Sequence, residues 1–121
     1  MAGRRRIALT ANLKDDASLQ AAYRRHHSAV PPEIEASLRE AGIVELRIYA
    51  LGTRLVMVMD VDDDFSFERK AQLDAENPAV QDWERLMWTY QDRMPEAAPG
   101  QKWVVLDEIY TFDAVDAGSS S

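Results

Sequence analysis

Ile43-Val44-Glu45-Leu46-Arg47-Ile48-Tyr49-Ala50-Leu51, then Gly52-Thr53, then Arg54-Leu55-Val56-Met57-Val58-Met59-Asp60-Val61 is the stretch on which the fold turns. Its first half alternates. Val44, Leu46 and Ile48 fall on one face, with Glu45, Arg47 and Tyr49 on the other, which is the period of a half-buried strand. Gly52-Thr53 is a two-residue connection with Gly at its first central position, the chemistry of a tight hairpin turn. Residues 54–61 are apolar and β-branched enough to return as the partner strand.

Upstream, Gly42 is placed to cap a helix that opens at Pro32 and carries Ile34, Leu38 and Ala41 on one side. Pro31 and Pro32 interrupt any helix passing through them, because proline lacks the N–H and clashes with the preceding turn. A separate helix is therefore expected over 17–27, with Leu19, Ala22 and Tyr23 as its apolar set. Before it, Ile7, Leu9 and Ala11 mark a first strand over 6–13. Downstream, Asp62-Asp63-Asp64 leaves the sheet, and a modest helix spans 66–75. Asn77-Pro78 then starts a longer one, striped by Val80, Trp83, Met87, Tyr90 and Met94 and ended by Pro95. A final strand is expected over 102–112.

The order is β-α-β-β-α-β with both helical regions broken. That is the α+β, ferredoxin-like pattern, with an antiparallel sheet and helices on one face. The sequence predicts a single domain over 6–113, with flexible tails at 1–5 and 114–121. Val56, Val58, Val104, Val105 and Tyr110 make the sheet apolar on both faces. The open face is thus expected to be covered in a homodimer, leaving a cavity beside the sheet.

The 121 residues carry 14 Lys plus Arg against 21 Asp plus Glu, a formal charge of −7. An acidic field disfavours nucleic acid and anionic membranes as partners. No run approaches the ~18 apolar residues of a membrane span, and no secretory leader is expected. There is no cysteine. Disulfides, thiolate metal sites and cysteine nucleophiles are thereby excluded, and a reducing, cytoplasmic setting is expected.

Histidine occurs only at His26 and His27. Neighbours on a helix diverge by ~100°, and no carboxylate stands at i+3 or i+4, so a helical metal site is not expected. His27 shares a helix face with Tyr23. The pair reads either as a proton-transfer couple or as a core tyrosine with a hydrogen-bonded helix terminator. The aspartates at 60 and 62–64 lack the Gly and closing Glu of a calcium loop. Trp83 lies on the apolar stripe. Trp88 lies off it and must face a cavity, an interface or water, and an indole face is suited to stacking on a sugar. Glycine-rich phosphate loops and the nucleophile elbow are missing.

Tyr23-Arg24-Arg25-His26-His27, then Pro32-Glu33, Gly42, Ile48-Tyr49, a Trp-bearing helix and Met94-Pro95 resemble, in order and spacing, the L-rhamnose mutarotase family over about residues 6–113. The resemblance implies a dimeric ferredoxin-like fold. It also implies a cofactor-free, metal-free isomerase that interconverts the anomers of a 6-deoxyhexose, with His27 as acid/base and Tyr23 in the pocket. Trp83, Trp88, Leu46, Tyr49 and Glu84 are the residues expected to bind the monosaccharide. Glu84 stands where the rhamnose type has a second Trp, and Leu46 where it has a pocket Tyr. With Trp88, Gln91 and Pro99-Gly100-Gln101-Lys102-Trp103, these departures resemble the L-fucose mutarotase branch. The alternatives are an L-rhamnose mutarotase, a non-catalytic small-ligand module on the same scaffold and, by fold analogy alone, a cofactor-independent monooxygenase.

Overall fold

The computed structural model describes residues 4–114. The elements run β1 (Arg5–Leu13), α1 (Ala17–His27), α2 (Pro32–Ala41), β2 (Ile43–Leu51), β3 (Arg54–Val61), α3 (Phe67–Ala75), α4 (Pro78–Trp88), β4 (Gln91–Asp92) and β5 (Val104–Val105). The strands form one antiparallel sheet in the order β2-β3-β1-β4, with β5 also paired to β1. The two long central ladders and the late strands on the free edge of β1 give the expected ferredoxin-like, α+β arrangement.

The hairpin turn forms as its residues require. Leu51 pairs with Arg54, Gly52 takes a φ of 57°, and every non-glycine residue described keeps a negative φ. A bulge between Ile43 and Glu45 shifts the start of β2. Ile43 is buried in consequence, and Val44, expected inside, is 53% exposed. The extra residue of a bulge flips the side-chain alternation that a uniform strand would keep.

Each helix starts and stops for a local reason. Asp16 caps α1 by accepting from the Ser18 and Leu19 N–H groups. Ser66 caps α3 through the Arg69 N–H. Asn77 caps α4 through the Ala79 N–H, with Pro78 at the first helical position. Gly42 ends α2 in the left-handed conformation, φ 97°, and a Cβ there would lie 2.5 Å from Asp62 Oδ1. Asp62 N–H also donates to the Gly42 carbonyl, tying the helix end to the end of β3.

Two buried clusters join the helices to the sheet. One comprises Leu9, Ala41, Ile43, Met59, Val61 and Phe65, and the other Ala11, Leu13, Tyr23, Leu55, Met87 and Tyr90. Trp103 packs against both. None of the described helices is long and apolar enough to cross a membrane.

Three expectations are corrected. The last helix does not run to Pro95; it is capped at Thr89, and Gln91–Asp92 pairs with Leu13 and Asn12 of β1. Tyr90 and Met94 stay buried after the helix ends, so their continued stripe reflects the core, not helix. The last strand is confined to Val104–Val105, with one further backbone bond from Leu106 to Ala8. Beyond it Ile109, Tyr110 and Phe112 are exposed, since within one chain they have no layer to pack on. Finally, β1 opens at Arg5, within the expected tail. Its side chain donates to the Phe65 carbonyl at 2.9 Å, while Arg4 pairs with Asp60. Residues 1–3 and 115–121 of the expected tails lie outside the described residues.

Candidate active site

A cavity of about 1010 Å³ opens between the helices and the inner face of the sheet. Both core clusters contribute to its walls. A cavity beside the sheet was expected, and the helix-covered side of a single chain already forms one. Tyr23, His27, Leu46, Trp83 and Glu84, five of the expected site residues, line it.

Pro31 and Pro32 stop α1 just after His27, so its ring lies in the last turn. There Nδ1 is 2.9 Å from the carbonyl oxygen of Tyr23. A carbonyl only accepts, so Nδ1 carries the hydrogen, and in the neutral ring Nε2 keeps the lone pair. The ring also stacks on Tyr23, with centroids 4.3 Å apart, and meets Trp83 edge-on at 5.4 Å. Burial holds the imidazolium below its ordinary range and the charge on His26 adds to that, while the bond to the Tyr23 carbonyl works the other way. His27 is therefore neutral near pH 7 and carries one free basic nitrogen.

Tyr23 is itself buried, 4% exposed. Burial first, and then the negative charge of Glu84, push its phenol above its ordinary range. It stays protonated near neutral pH, so its hydroxyl is able to donate a hydrogen bond but not to act as a base. His26 turns elsewhere: its Nε2 lies 3.0 Å from the Tyr90 hydroxyl, and it is not part of the cavity wall. The two histidines thus have separate partners. Among the described residues no group of three or more His, Asp or Glu side chains is placed to hold a metal ion.

Glu84 forms an ion pair with Lys102, whose side chain is buried. The same ammonium sits 4.5 Å from the centroid of the Trp88 ring. Trp88 is consequently packed against Lys102 and is not part of the cavity wall, unlike the expectation for it. Tyr49 is corrected as well. It lies 56% exposed on the opposite face of the sheet, in a small recess with Arg6, Glu45, Arg47, Val58 and Asp60. Strand alternation forces this: Leu46 and Ile48 face the cavity, so Tyr49 faces away.

Lys102 and Gln91 line the cavity but were not among the expected site residues. In the sequence Lys102 stands at the start of the last strand and in the stretch that resembles the L-fucose branch, with no binding role attached to it. Its partner Glu84 is far away in sequence, and no local pattern signals the pairing. Gln91 follows the apolar stripe of α4 in sequence, and only the pairing of β4 with β1 turns it inward.

The fold and this corner define a small ferredoxin-like protein with a half-buried histidine stacked on a buried tyrosine in one cavity. The profile of the L-rhamnose mutarotase family matches residues 6–112. An L-fucose mutarotase of Xanthomonas campestris is 44% identical over 121 residues, covering 96% of this chain and 97% of that protein. A UPF0734 protein of Dictyostelium discoideum is 29% identical over 109 residues, covering 84% and 85%. Among solved structures, the L-rhamnose mutarotase of Formosa agariphila superposes with a TM-score of 0.68 at 21% identity, over 90% of this chain and 99% of that one. The chain belongs to the L-rhamnose mutarotase family, and with it to the isomerases that act on sugars.

Proposed function

We propose that this protein is an L-fucose mutarotase in which His27 is the acid/base. The observation that carries the reading is the bond from His27 Nδ1 to the Tyr23 carbonyl, which leaves a basic Nε2 on a residue lining a sugar-accommodating cavity. In ring opening, Nε2 takes the proton from the anomeric hydroxyl. The C1–O1 bond gains double-bond character as the C1–O5 pair moves to the ring oxygen, and the imidazolium returns the same proton to O5, so that His27 ends neutral. Rotation about C1–C2 exposes the other face of the aldehyde, and closure runs the steps backwards. Tyr23, held protonated, donates hydrogen bonds to the sugar oxygens. Trp83 supplies an apolar wall, and Glu84 accepts from hydroxyls. Atoms and charge balance without a metal, nucleotide or covalent intermediate.

L-fucose is favoured over L-rhamnose by the 44% identity to an L-fucose mutarotase and by Leu46 and Glu84 on the cavity wall. Saturation-transfer NMR between the α and β H1 signals tests this directly. Exchange is expected to be faster for L-fucose than for L-rhamnose. The reverse order would assign the chain to L-rhamnose, and binding without exchange would make it a non-catalytic module.

The protein is further proposed to act as a homodimer. Tyr49 and Leu51 on the open sheet face, and Ile109, Tyr110 and Phe112 beyond β5, are large apolar side chains left exposed by a single chain. Light scattering at micromolar concentration should return twice the mass of one chain. A monomer would remove this part of the reading.

A further inference from the structure

Three polar or charged residues among those described are buried: Thr10, Gln91 and Lys102. Thr10 is satisfied, since its hydroxyl donates to the Leu55 carbonyl at 2.8 Å. Lys102 is satisfied by Glu84 and the Trp88 ring. Gln91 is different. It is 2% exposed, and its Nε2 is the one buried side-chain nitrogen or oxygen among the described residues that has no hydrogen-bond partner.

A buried amide left without a partner is unfavourable, and native proteins retain few of them. Their usual explanation is a role outside the free protein's own packing. Gln91 sits opposite Leu13 in the β1–β4 ladder, and opposed residues of an antiparallel pair share a sheet face. Leu13 belongs to the buried cluster that includes Tyr23 and Met87. The Gln91 side chain is thus on the helix-facing side, and it lines the same cavity as Tyr23 and His27. Methionine or leucine would fill such a site without an orphaned donor. The polar residue gains only when a ligand brings an acceptor.

We infer that Gln91 is a substrate-positioning residue whose side-chain amide donates to a hydroxyl oxygen of the bound pyranose. The inference rests on the sugar-isomerase reading. A pyranose is rich in hydroxyl oxygens able to accept, and a donor fixed by the sheet can orient the ring so that the anomeric hydroxyl meets His27. Such a bond forms with the ground state and the transition state alike. It therefore acts on KM more than on kcat.

The first test uses the parent protein. L-fucose, the probe, is titrated into uniformly labelled protein while the side-chain amide resonances are followed by nitrogen–proton correlation NMR. The Gln91 amide is expected to shift and saturate together with the exchange-active site. The second test replaces Gln91→Met, which keeps length and removes the donor. KM for L-fucose exchange is expected to rise about three- to tenfold, with kcat within about twofold, as loss of one neutral hydrogen bond predicts. The thermal midpoint without sugar is expected to stay or rise, because an orphaned amide has been removed. Saturable sugar binding that leaves the Gln91 amide unmoved overturns the inference, as does an unchanged KM or a lower sugar-free midpoint. A parent protein that neither binds nor exchanges sugars would instead overturn the functional reading on which it rests.

Discussion

Replacing His27 by alanine separates the two adjacent histidines most sharply. The ring is half-buried and makes one hydrogen bond to the Tyr23 carbonyl and two ring contacts, to Tyr23 and Trp83. Loss of a general acid/base lowers rates ~10²–10⁴-fold. At ~1.36 kcal/mol per tenfold, that is about 3–5 kcal/mol of barrier. Loss of one such hydrogen bond to stability is about 1 kcal/mol, so His27→Ala should remain folded while losing nearly all catalysed exchange. His26→Ala should show the opposite profile. It breaks the bond to the Tyr90 hydroxyl, lowering stability by about 0.5–1.5 kcal/mol, and retains most activity. Tyr23→Phe keeps the ring packing and removes only the hydroxyl, so it should fall between. The assay is H1 saturation transfer with L-fucose, corrected for the spontaneous rate, alongside thermal melts of each variant. Parent-like exchange in folded His27→Ala, or its loss in His26→Ala alone, would refute the assignment of the base.

Two further outcomes follow from the same geometry. His27 is depressed below its ordinary range mainly by burial, so the acid limb of kcat/KM should fall below the ordinary imidazole pKa of about 6.5. Between that value and the folded one, the unfolded chain binds the proton and the folded chain does not. This contribution to stability is complete above about 6.5 and is lost as pH falls through the folded pKa; an acid limb above 6.5 would contradict the burial account. Gly42→Ala should lower stability, by about 1–2 kcal/mol for the left-handed backbone alone and by more because the new Cβ meets Asp62. An unchanged melting temperature would show that the α2–β2 junction relaxes freely.

Much of the fold was legible because it was local. The hairpin follows from alternation and Gly52, the α1–α2 break from Pro31 and Pro32, and the starts of α3 and α4 from Ser66 and Asn77. His27 and Tyr23 were legible as a pair because i and i+4 share a helix face, and the structure brings their rings together. What escaped is non-local. The bulge that buries Ile43 and exposes Val44 depends on pairing with Val61 and Asp60. The stop of α4 at Trp88 depends on a free edge of β1, which no feature of residues 80–94 reveals. Tyr49 was misplaced despite a correct reading of its strand. Its alternation already set it opposite Leu46, and the motif match assigned both to one pocket. The Glu84–Lys102 pair joins a helix to a late loop, and only tertiary packing places it.

The position of His27 also explains why a histidine suits this corner. The end of a helix, with Arg24 and Arg25 in the same last turn, would by itself favour the imidazolium through the helix dipole and oppose it through like charge. The outcome is set instead by burial against Tyr23 and Trp83, which disfavours the charged form. The Tyr23 carbonyl opposes that effect, because it accepts from Nδ1–H in both protonation states and more strongly from the cation. Reversible ring opening needs a group that accepts a proton in one half of the reaction and returns it in the other. A base pushed too far down would accept poorly, and one pushed too far up would not give the proton back. Burial and the carbonyl act in opposite directions on the same ring. A helix-terminating turn fixed by two prolines is what lets one residue experience both.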